Sequence, residues 1–218
     1  MQAKGYKGIG MEGPIAKWYA KITLKDLEDF RALARRMAAG LAEGSSVLEV
    51  APGPGYFAIE LAKLGDYRIT GLDVSETFVE IAQKNAREAG VEVVFRRGNA
   101  SKMPFGDDSF DLIMCRAAFK NFSEPVEALR EMRRVLKPSG KAVIIDLRKD
   151  TPKEEIDAHV DKMKVGAINA AFVKLSFRTM LLKRAYTKAD FERFIAESGF
   201  QRFKIGEAPV EFEITLTK

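Results

Sequence analysis

The 218-residue chain is predicted to adopt an α/β fold built on a doubly wound, mostly parallel sheet with helices on both faces. In the middle of the sequence, short β-rich runs alternate with longer helical patterns, as parallel strands joined by crossover helices require. Apolar residues make up 46% of the chain, which is enough for one sizeable core. A turn of two prolines and two glycines, residues 52–55, separates the first strand from its helix. These observations predict a globular domain and exclude a disordered tail or a disulfide miniprotein.

Seven strands and five regular helices are expected outside residues 150–186. The strands are expected at 46–51, 68–74, 92–96, 110–116, 141–147, 202–206 and 210–217. The helices are expected at 24–41, 56–64, 76–89, 124–136 and 188–198. Ser75, Ser123 and Thr187 stand at positions typical of helix N-caps, and glycines at 90 and 199 are expected to end two helices. A Pro-Ser-Gly turn is expected at 138–140.

The chain is expected to form a single domain, residues 1–218, with four parts. These are an N-terminal helical lid segment at 1–44, a ligand-binding core at 45–149, a helical insertion at 150–186, and a C-terminal helix with two strands at 187–218. One stripe of the insertion is apolar and contains Val165, Ile168, Phe172, Leu175 and Leu182. Ligands of open α/β sheets bind outside the carboxyl ends of the strands, so the insertion is expected to cap that edge. A dimer contact and a membrane-surface contact beside its basic residues are the alternatives.

Charge, cysteine and histidine content exclude several classes of function. The formal net charge is +5, but the basic excess is spread along the chain, so no specific nucleic-acid binding is expected. The single cysteine, Cys115, lies in an apolar run, which is typical of a reducing compartment, and a cytoplasmic location is expected. With one cysteine and one histidine, His159, no metal site is expected. Neither an export signal nor a transmembrane segment is expected.

The run from Ser45 to Ala62 gives the strongest functional signal. A buried strand ends at Glu49 and the following valine, the turn with Gly53 and Gly55 comes next, and a helix begins at once. Glycines let a ligand approach the backbone, and a helix start offers unpaired N–H groups. The arrangement predicts a nucleotide-binding crevice, whereas a tight strand-to-helix turn is the alternative for the glycines alone.

Two further strand ends offer groups that suit a nucleoside. Asp73 ends the second strand, and its carboxylate can accept hydrogen bonds from both hydroxyls of a ribose. Asn99 and the N–H of Ala100 suit an adenine ring, and Met103 or Phe105 could cover the face of that ring. A helix cap is the alternative for Asp73, and a turn residue is the alternative for Asn99.

From about residue 47 to residue 147 the sequence resembles the class I S-adenosylmethionine-dependent methyltransferases, of the small-molecule group that includes the ubiquinone and menaquinone C-methyltransferases. The resemblance rests on the motifs VLEVAPGPG, GLDVS, NASKMPFGDDSFDLI and RRVLKPSG, in family order and spacing. It implies a Rossmann-like, doubly wound, seven-stranded, mostly parallel sheet with an antiparallel last strand and a helical cap, and S-adenosyl-L-methionine as cofactor. It further implies that Glu49 orients the methionine amino end, Asp73 holds the ribose, and Asn99 with Ala100 reads adenine. The whole expected cofactor site comprises Glu49, Ala51, Pro52, Gly53, Gly55, Asp73, Val74, Gly98, Asn99, Ala100, Cys115 and Arg116.

The sequence departs from the family pattern at three points. Ala51 replaces the first glycine of the turn, a small change that should still permit close approach of the backbone. Asn99 stands where aspartate is commoner. The segment AAFKNF, residues 117–122, lacks the histidine pair of many relatives and resembles the Arg-Asn signature of the quinone enzymes, with Lys120 in place of arginine. This segment suggests quinone substrates.

Methyl transfer from a sulfonium is an in-line displacement that depends on alignment and on exclusion of water. No catalytic residue is therefore assigned, and the expected acceptor is a small, apolar or aromatic molecule. Tyr6 and Tyr19 are candidate lid residues, with simple packing as the alternative. Two rival functions remain: an NAD-dependent oxidoreductase, because residues 53–58 match G-x-G-x-x-A, and a non-catalytic S-adenosylmethionine-binding module. The first explains neither Glu49 nor the NASKMPF motif, and the oligomeric state, including a homodimer, is left open.

Overall fold

The computed structural model describes residues 5–7, 10–162 and 181–218, and seven strands of these residues form one sheet. The strands are β1 (Ser46–Val50), β2 (Arg68–Asp73), β3 (Val94–Arg97), β4 (Phe110–Arg116), β5 (Leu136–Leu147), β6 (Arg202–Glu207) and β7 (Glu211–Thr217). Their order is β3-β2-β1-β4-β5-β7-β6, with β1 to β5 parallel and β7 antiparallel to both of its neighbours. The predicted fold class, including the antiparallel last strand, is confirmed. Because the strand order reverses between β1 and β4, the carboxyl ends of these strands flank the point where such sheets bind ligands.

Helices lie on both faces of this sheet. In the described residues they are α1 (Gly13–Thr23), α2 (Leu27–Ala38), α3 (Tyr56–Ala62), α4 (Glu76–Ala89), α5 (Pro125–Val135), α6 (Lys153–Lys162), α7 (Leu182–Arg184) and α8 (Lys188–Ser198), with 3-10 turns at Leu24–Asp26 and Phe119–Asn121. Successive residues of a strand point to opposite faces. Leu48 of β1 accordingly packs in a core with α5 and α8, while its neighbour Val47 packs in a second core with α2, α3 and α4. Burial on both faces explains why the central strands are almost continuously apolar.

Most of the expected helix caps are confirmed, and one is wrong. The Ser75 side chain accepts from Phe78 N at the start of α4, and Thr187 forms a capping box at the start of α8. Glycines 90 and 199 end their helices in the left-handed conformation. Ser123 does not cap α5, which begins one residue further on with Glu124 as N-cap. Pro125 explains the difference, because proline favours the first helical position and keeps the preceding residue out of helical conformation.

Three segments differ from the expected secondary structure. The helix expected at 24–41 is instead a 3-10 turn at Leu24–Asp26 followed by α2, which ends at Ala38. Residues 13–23 form a helix that the sequence analysis did not assign, although Pro14 at its start is a typical signal. Residues 138–140 do not form a separate turn but lie in a bulge of β5. Phe110 pairs with Leu136 and Leu112 pairs with Lys141, so one residue of β4 faces four of β5.

The insertion at 150–186 begins with α6 and ends with α7. Ile156 and Val160 of α6 are buried and pack against Leu147, Leu181 and Leu182. Four members of the expected apolar stripe, at positions 165, 168, 172 and 175, lie outside the described residues. In the described part of the chain, no helix is both long and apolar enough to cross a membrane.

Candidate functional site

The turn after β1 is held in a conformation that explains its composition. Gly53 and Gly55 have positive φ values of 54° and 80°. A Cβ added at Gly55 would lie 2.7 Å from Cζ of Phe95, whereas one added at Gly53 would meet no atom within 4 Å. Gly55 therefore serves close packing, and Gly53 leaves open space beside the backbone, as a ligand-binding turn needs.

Ala51 adopts the left-handed conformation as well, with φ of 56°. Its amide donates to Leu72 O at 2.8 Å, so the hydrogen bonding of the turn holds it there. A non-glycine residue in this region is strained by about 1 to 2 kcal/mol. The replacement of the family's glycine thus has a conformational cost in addition to the added methyl group.

Asp73 joins the glycine turn to the start of α4. Its Oδ2 accepts from Gly53 N at 3.0 Å and its Oδ1 accepts from Ser75 N at 2.9 Å. The residue is 5% exposed, and burial raises its pKa to about 6 although the amide hydrogen bonds oppose this shift. Each carboxylate oxygen can accept a second hydrogen bond, so these contacts are compatible with binding of ribose hydroxyls.

Glu49, on the opposite side of the turn, is more deeply buried. It is 3% exposed, and its Oε2 accepts from Ala58 N in α3 at 3.1 Å. Burial raises the pKa of Glu49 to about 8, the negative charge of Asp73 adds to this shift, and Arg116 opposes it. A cationic ligand group next to this buried carboxyl would stabilise its ionised form, so the carboxyl favours binding of a cation.

The Asn99 side chain forms a local turn. Its Oδ1 accepts from Ser101 N at 2.9 Å, as expected if Asn99 serves as a turn residue. Backbone of the N-terminal segment covers this side chain, because a Cβ added at Gly5 would lie 2.8 Å from Asn99 Oδ1. Met103 is 4% exposed and lies in the core, while Phe105 is partly buried and packs edge-on against Phe110 at 5.1 Å; that one of them covers an adenine ring stays a prediction.

The remaining expected site residues have distinct surroundings. Gly98 packs closely against Leu72, since a Cβ added at Gly98 would lie 2.5 Å from Leu72 Cδ1. Val74, which directly follows β2, is 37% exposed. The Cys115 side chain is fully buried in the core, and burial raises the pKa of its thiol, so only its backbone is available to a ligand. Arg116, at the end of β4, holds its guanidinium 4.5 Å from the centre of the Phe30 ring. Its Nη1 is buried and has no hydrogen-bond partner in the described structure.

The N-terminal segment crosses the carboxyl edge of the sheet. Tyr6 forms an antiparallel bridge with Phe122, and further along the chain Met11 O accepts from the Ser75 hydroxyl at 2.6 Å. The Glu12 carboxylate accepts from Glu76 N at 3.0 Å and from Thr77 N at 3.1 Å, at the start of α4. Sequence reasoning missed Glu12, because its partners lie more than sixty residues away in the chain.

Tyr19 of α1 lies beside the same edge. Its ring packs edge-on against Phe78 at 5.9 Å, and burial raises its pKa, an effect that the charge of Arg116 opposes. Both candidate lid tyrosines thus contact segments that follow the carboxyl ends of strands, Tyr6 through Phe122 and Tyr19 through Phe78 of α4.

A buried ion pair lies beyond β4, and the sequence analysis named only one of its members. Lys120 Nζ donates to Asp146 Oδ1 at 2.8 Å, with the two side chains 5% and 1% exposed. Asp146 Oδ2 also accepts from Lys120 N at 2.7 Å, and Lys120 Nζ donates to Ala117 O. Phe119, next in the chain, stacks on Phe191 at 5.5 Å. The pair thus anchors the loop after β4 against an aromatic cluster.

A sheet that reverses its order beside a glycine turn, with a buried carboxyl at the end of β1 and another at the end of β2, defines a nucleotide-binding α/β protein. Residues 48–144 match the family model described as a methyltransferase domain. Over these residues the chain is similar to the S-adenosylmethionine-dependent methyltransferases of class I. The expected enzyme class and cofactor are therefore confirmed.

Similar proteins cover different shares of the chain. The demethylmenaquinone methyltransferase of Chlorobaculum parvum is 28% identical over 196 residues, which are 86% of this chain and 79% of that protein. The methyltransferase YcgJ of Bacillus subtilis is 37% identical over 121 residues, which are 54% of this chain and 47% of that protein. The chain thus spans about half the length of some curated relatives that it matches. The solved structure of a protein from Methanococcus maripaludis, described as an S-adenosylmethionine-dependent methyltransferase, has a TM-score of 0.77 at 22% identity and covers 97% of this chain and 95% of its own.

Proposed function

We propose that the protein transfers the methyl group of S-adenosylmethionine to a small, largely apolar or aromatic acceptor. The observation that supports this most directly is the pair of buried carboxyls at the ends of β1 and β2, of which Asp73 accepts from the amide of Gly53 and Glu49 accepts from the amide of Ala58. A cofactor with a cationic amino end and a ribose suits both groups at once. A nicotinamide dinucleotide would use Asp73 but would leave the carboxyl of Glu49 buried without a function.

In this proposal, the turn and the ends of the strands bind different parts of the cofactor. Glu49 receives the methionine ammonium, and the backbone from Ala51 to Gly55 lies along the tail. Asp73 accepts from the ribose hydroxyls, with Val74 at the rim. The loop of Gly98, Asn99 and Ala100 holds the adenine ring, while the end of β4, with Cys115 backbone and Arg116, lies beside the sulfur end.

When bound, the cofactor supplies an electrophilic methyl group on a sulfonium. The protein's own contribution is to hold the acceptor atom in line with the breaking bond and to keep water away, which requires no acid or base on the enzyme. Tyr6 and Tyr19, near the crevice, are placed to exclude water. A proton leaving an acceptor atom passes to solvent or to a residue that we do not assign.

The acceptor is proposed to lie between the carboxyl edge of the sheet and residues 150–186, with help from residues 5–20. The aromatic cluster around Phe119, including Tyr186 at 6.1 Å and Phe191 at 5.5 Å, offers apolar surface on that side. Relatives named demethylmenaquinone methyltransferases support a quinone-type acceptor, as does the segment with Lys120.

Binding and transfer measurements together test the proposal. Calorimetric titration with S-adenosylmethionine, S-adenosylhomocysteine and NADH should show saturable binding of the first two, and NADH binding should be weak or absent. Transfer of a labelled methyl group should then be measured with a panel of small aromatic acceptors that includes quinols. Tighter binding of NADH would refute the cofactor assignment, whereas tight cofactor binding without transfer to any acceptor would favour a non-catalytic binding module.

A further inference from the structure

The outer face of α1 presents large apolar side chains to solvent. Ile15 is 45% exposed, Trp18 is 57% exposed and Ile22 is 38% exposed, and Leu24 directly after the helix is 50% exposed. Positions 15, 18 and 22 are spaced by three and four residues, so their side chains form one stripe along the helix. A contiguous apolar patch of this kind on a folded domain marks an interaction surface.

Among the described residues, α1 packs through the face opposite to this stripe. The inner face of α1 supplies the buried contacts, with Ala16 fully buried and Ala20 8% exposed. Ala20 O accepts from the Tyr56 hydroxyl at 2.8 Å, and the Tyr19 ring contacts Phe78 of α4. The inner face therefore lies over the carboxyl edge of the sheet while the stripe faces away from the domain.

The charges within residues 13–25 are all of one sign, while acidic side chains lie just outside them, where Glu12 binds the start of α4 and Glu28 pairs with Arg31. Residues 13–25 contain three charged side chains, Lys17, Lys21 and Lys25, and each is exposed. They are spaced four residues apart, so Lys17 and Lys21 follow the solvent-facing side of α1 next to the stripe. An apolar stripe with an exposed tryptophan and flanking lysines is the composition that lies in the interface of an anionic lipid bilayer, with the lysine charges at the head groups.

The apolar area of the patch is smaller than the whole area that a protein interface buries. Judged from their exposed fractions, the four apolar side chains offer on the order of 400 Å². A stable protein interface buries about 800 Å² on each partner. A bilayer surface needs no matching protein face, and three lysines favour it only when its lipids are anionic.

We propose that the outer face of α1, formed by Ile15, Trp18, Ile22 and the flanking lysines, docks the protein on the surface of an anionic lipid bilayer. The inner face of the same helix contacts Phe78 at the start of α4 and Tyr56 at the start of α3, so docking holds the crevice close to the lipid surface. This surface goes beyond the proposed function, and its test requires neither cofactor nor acceptor.

Flotation with lipid vesicles tests the proposal directly. The full chain should float with vesicles of phosphatidylcholine and phosphatidylglycerol at low salt, and should remain unbound with phosphatidylcholine alone. Salt at 0.5 M, on the order at which exposed charges are screened within a few ångströms, should reduce the bound fraction severalfold. Trp18→Glu, and separately the triple variant Lys17→Gln, Lys21→Gln, Lys25→Gln, should each reduce binding at least fivefold.

Matched variants elsewhere on the surface control for charge and hydrophobicity. Phe203→Glu removes a side chain that is 46% exposed on β6, and Lys84→Gln, Lys188→Gln, Lys204→Gln removes three other exposed lysines. Both should bind like the unaltered protein, and circular dichroism should show every variant folded. The proposal is overturned if the unaltered chain does not bind anionic vesicles, or if the α1 variants and the control variants lose binding equally. It is also overturned if the patch instead forms a dimer, seen by light scattering without lipid and abolished by Trp18→Glu.

Discussion

Glu49 should release a proton when the cofactor binds at neutral pH. Burial raises the pKa of Glu49 to about 8, so about nine in ten molecules hold it protonated at pH 7. An ammonium group against this carboxyl would favour the ionised form and return its pKa close to the ordinary value of 4.5. Binding should then release roughly 0.9 proton per cofactor at pH 7. Asp73, whose pKa is raised only to about 6, is mostly ionised at that pH and contributes little.

Titration calorimetry in buffers of different ionisation enthalpy measures this release. The observed binding enthalpy should vary linearly with buffer ionisation enthalpy, with a slope that corresponds to nearly one proton. Glu49→Gln should abolish the slope and weaken cofactor binding by at least tenfold, while Glu192→Gln, which removes a surface carboxyl of α8, should change neither. A flat dependence in the unaltered protein, or an unchanged slope in Glu49→Gln, would show that Glu49 does not meet the ammonium.

The same carboxyl makes the stability of the cofactor-free protein depend on pH. Because the folded-state pKa of Glu49 lies above its ordinary value of 4.5, its contribution is complete below pH 4.5 and is lost as the pH rises through about 8. The loss is about 5 kcal/mol at most, since each unit of pKa difference corresponds to about 1.4 kcal/mol. Urea unfolding between pH 5 and pH 8 should therefore show a flatter pH dependence for Glu49→Gln than for the unaltered protein.

Four further changes test other parts of the structure. Asp73→Ala should weaken cofactor binding by roughly 1.5 to 3 kcal/mol in calorimetry, and Asp73→Asn by less, because charge-assisted hydrogen bonds to ribose are lost; normal binding by the alanine variant would make Asp73 a structural residue only. Ala51→Gly should raise the stability in urea by about 1 kcal/mol, because glycine accepts the positive φ; no gain would mean that the turn relaxes without strain. Lys120→Met should destabilise the fold by about 3 to 5 kcal/mol, because it leaves the buried carboxyl of Asp146 without its partner. Adding Asp146→Leu should recover most of this loss, and equal stability of the single and double variants would contradict a coupled pair. Replacement of residues 150–186 by a Gly/Ser linker should abolish methyl transfer while cofactor binding survives in part, and undiminished transfer would refute the cap.

Local signals in the sequence determined most of the fold. The alternation of apolar strands and amphipathic helices predicts the α/β class, and Ser75, Thr187 and the glycine at 90 act on backbone groups within four residues of themselves. The glycine turn was predictable for the same reason, because adjacent prolines and glycines favour a turn, although contacts with Leu72 and Asp73 hold it in place. Where two local signals competed, as at Ser123 and Pro125, the proline determined the outcome, since it restricts the backbone whereas the serine only offers a hydrogen bond.

The chemistry of the site was decided by tertiary structure. The sequence shows that Glu49 and Asp73 follow strands, but only the packed layers remove both from water and so raise their pKa values. Glu12 reaches the start of α4 across 64 residues, and no local pattern indicates that contact. The outward direction of Trp18 depends on which face of α1 packs against α4. Burial and long-range contact arise only when distant segments assemble, so the sequence alone predicted which groups are present and the fold decided their surroundings.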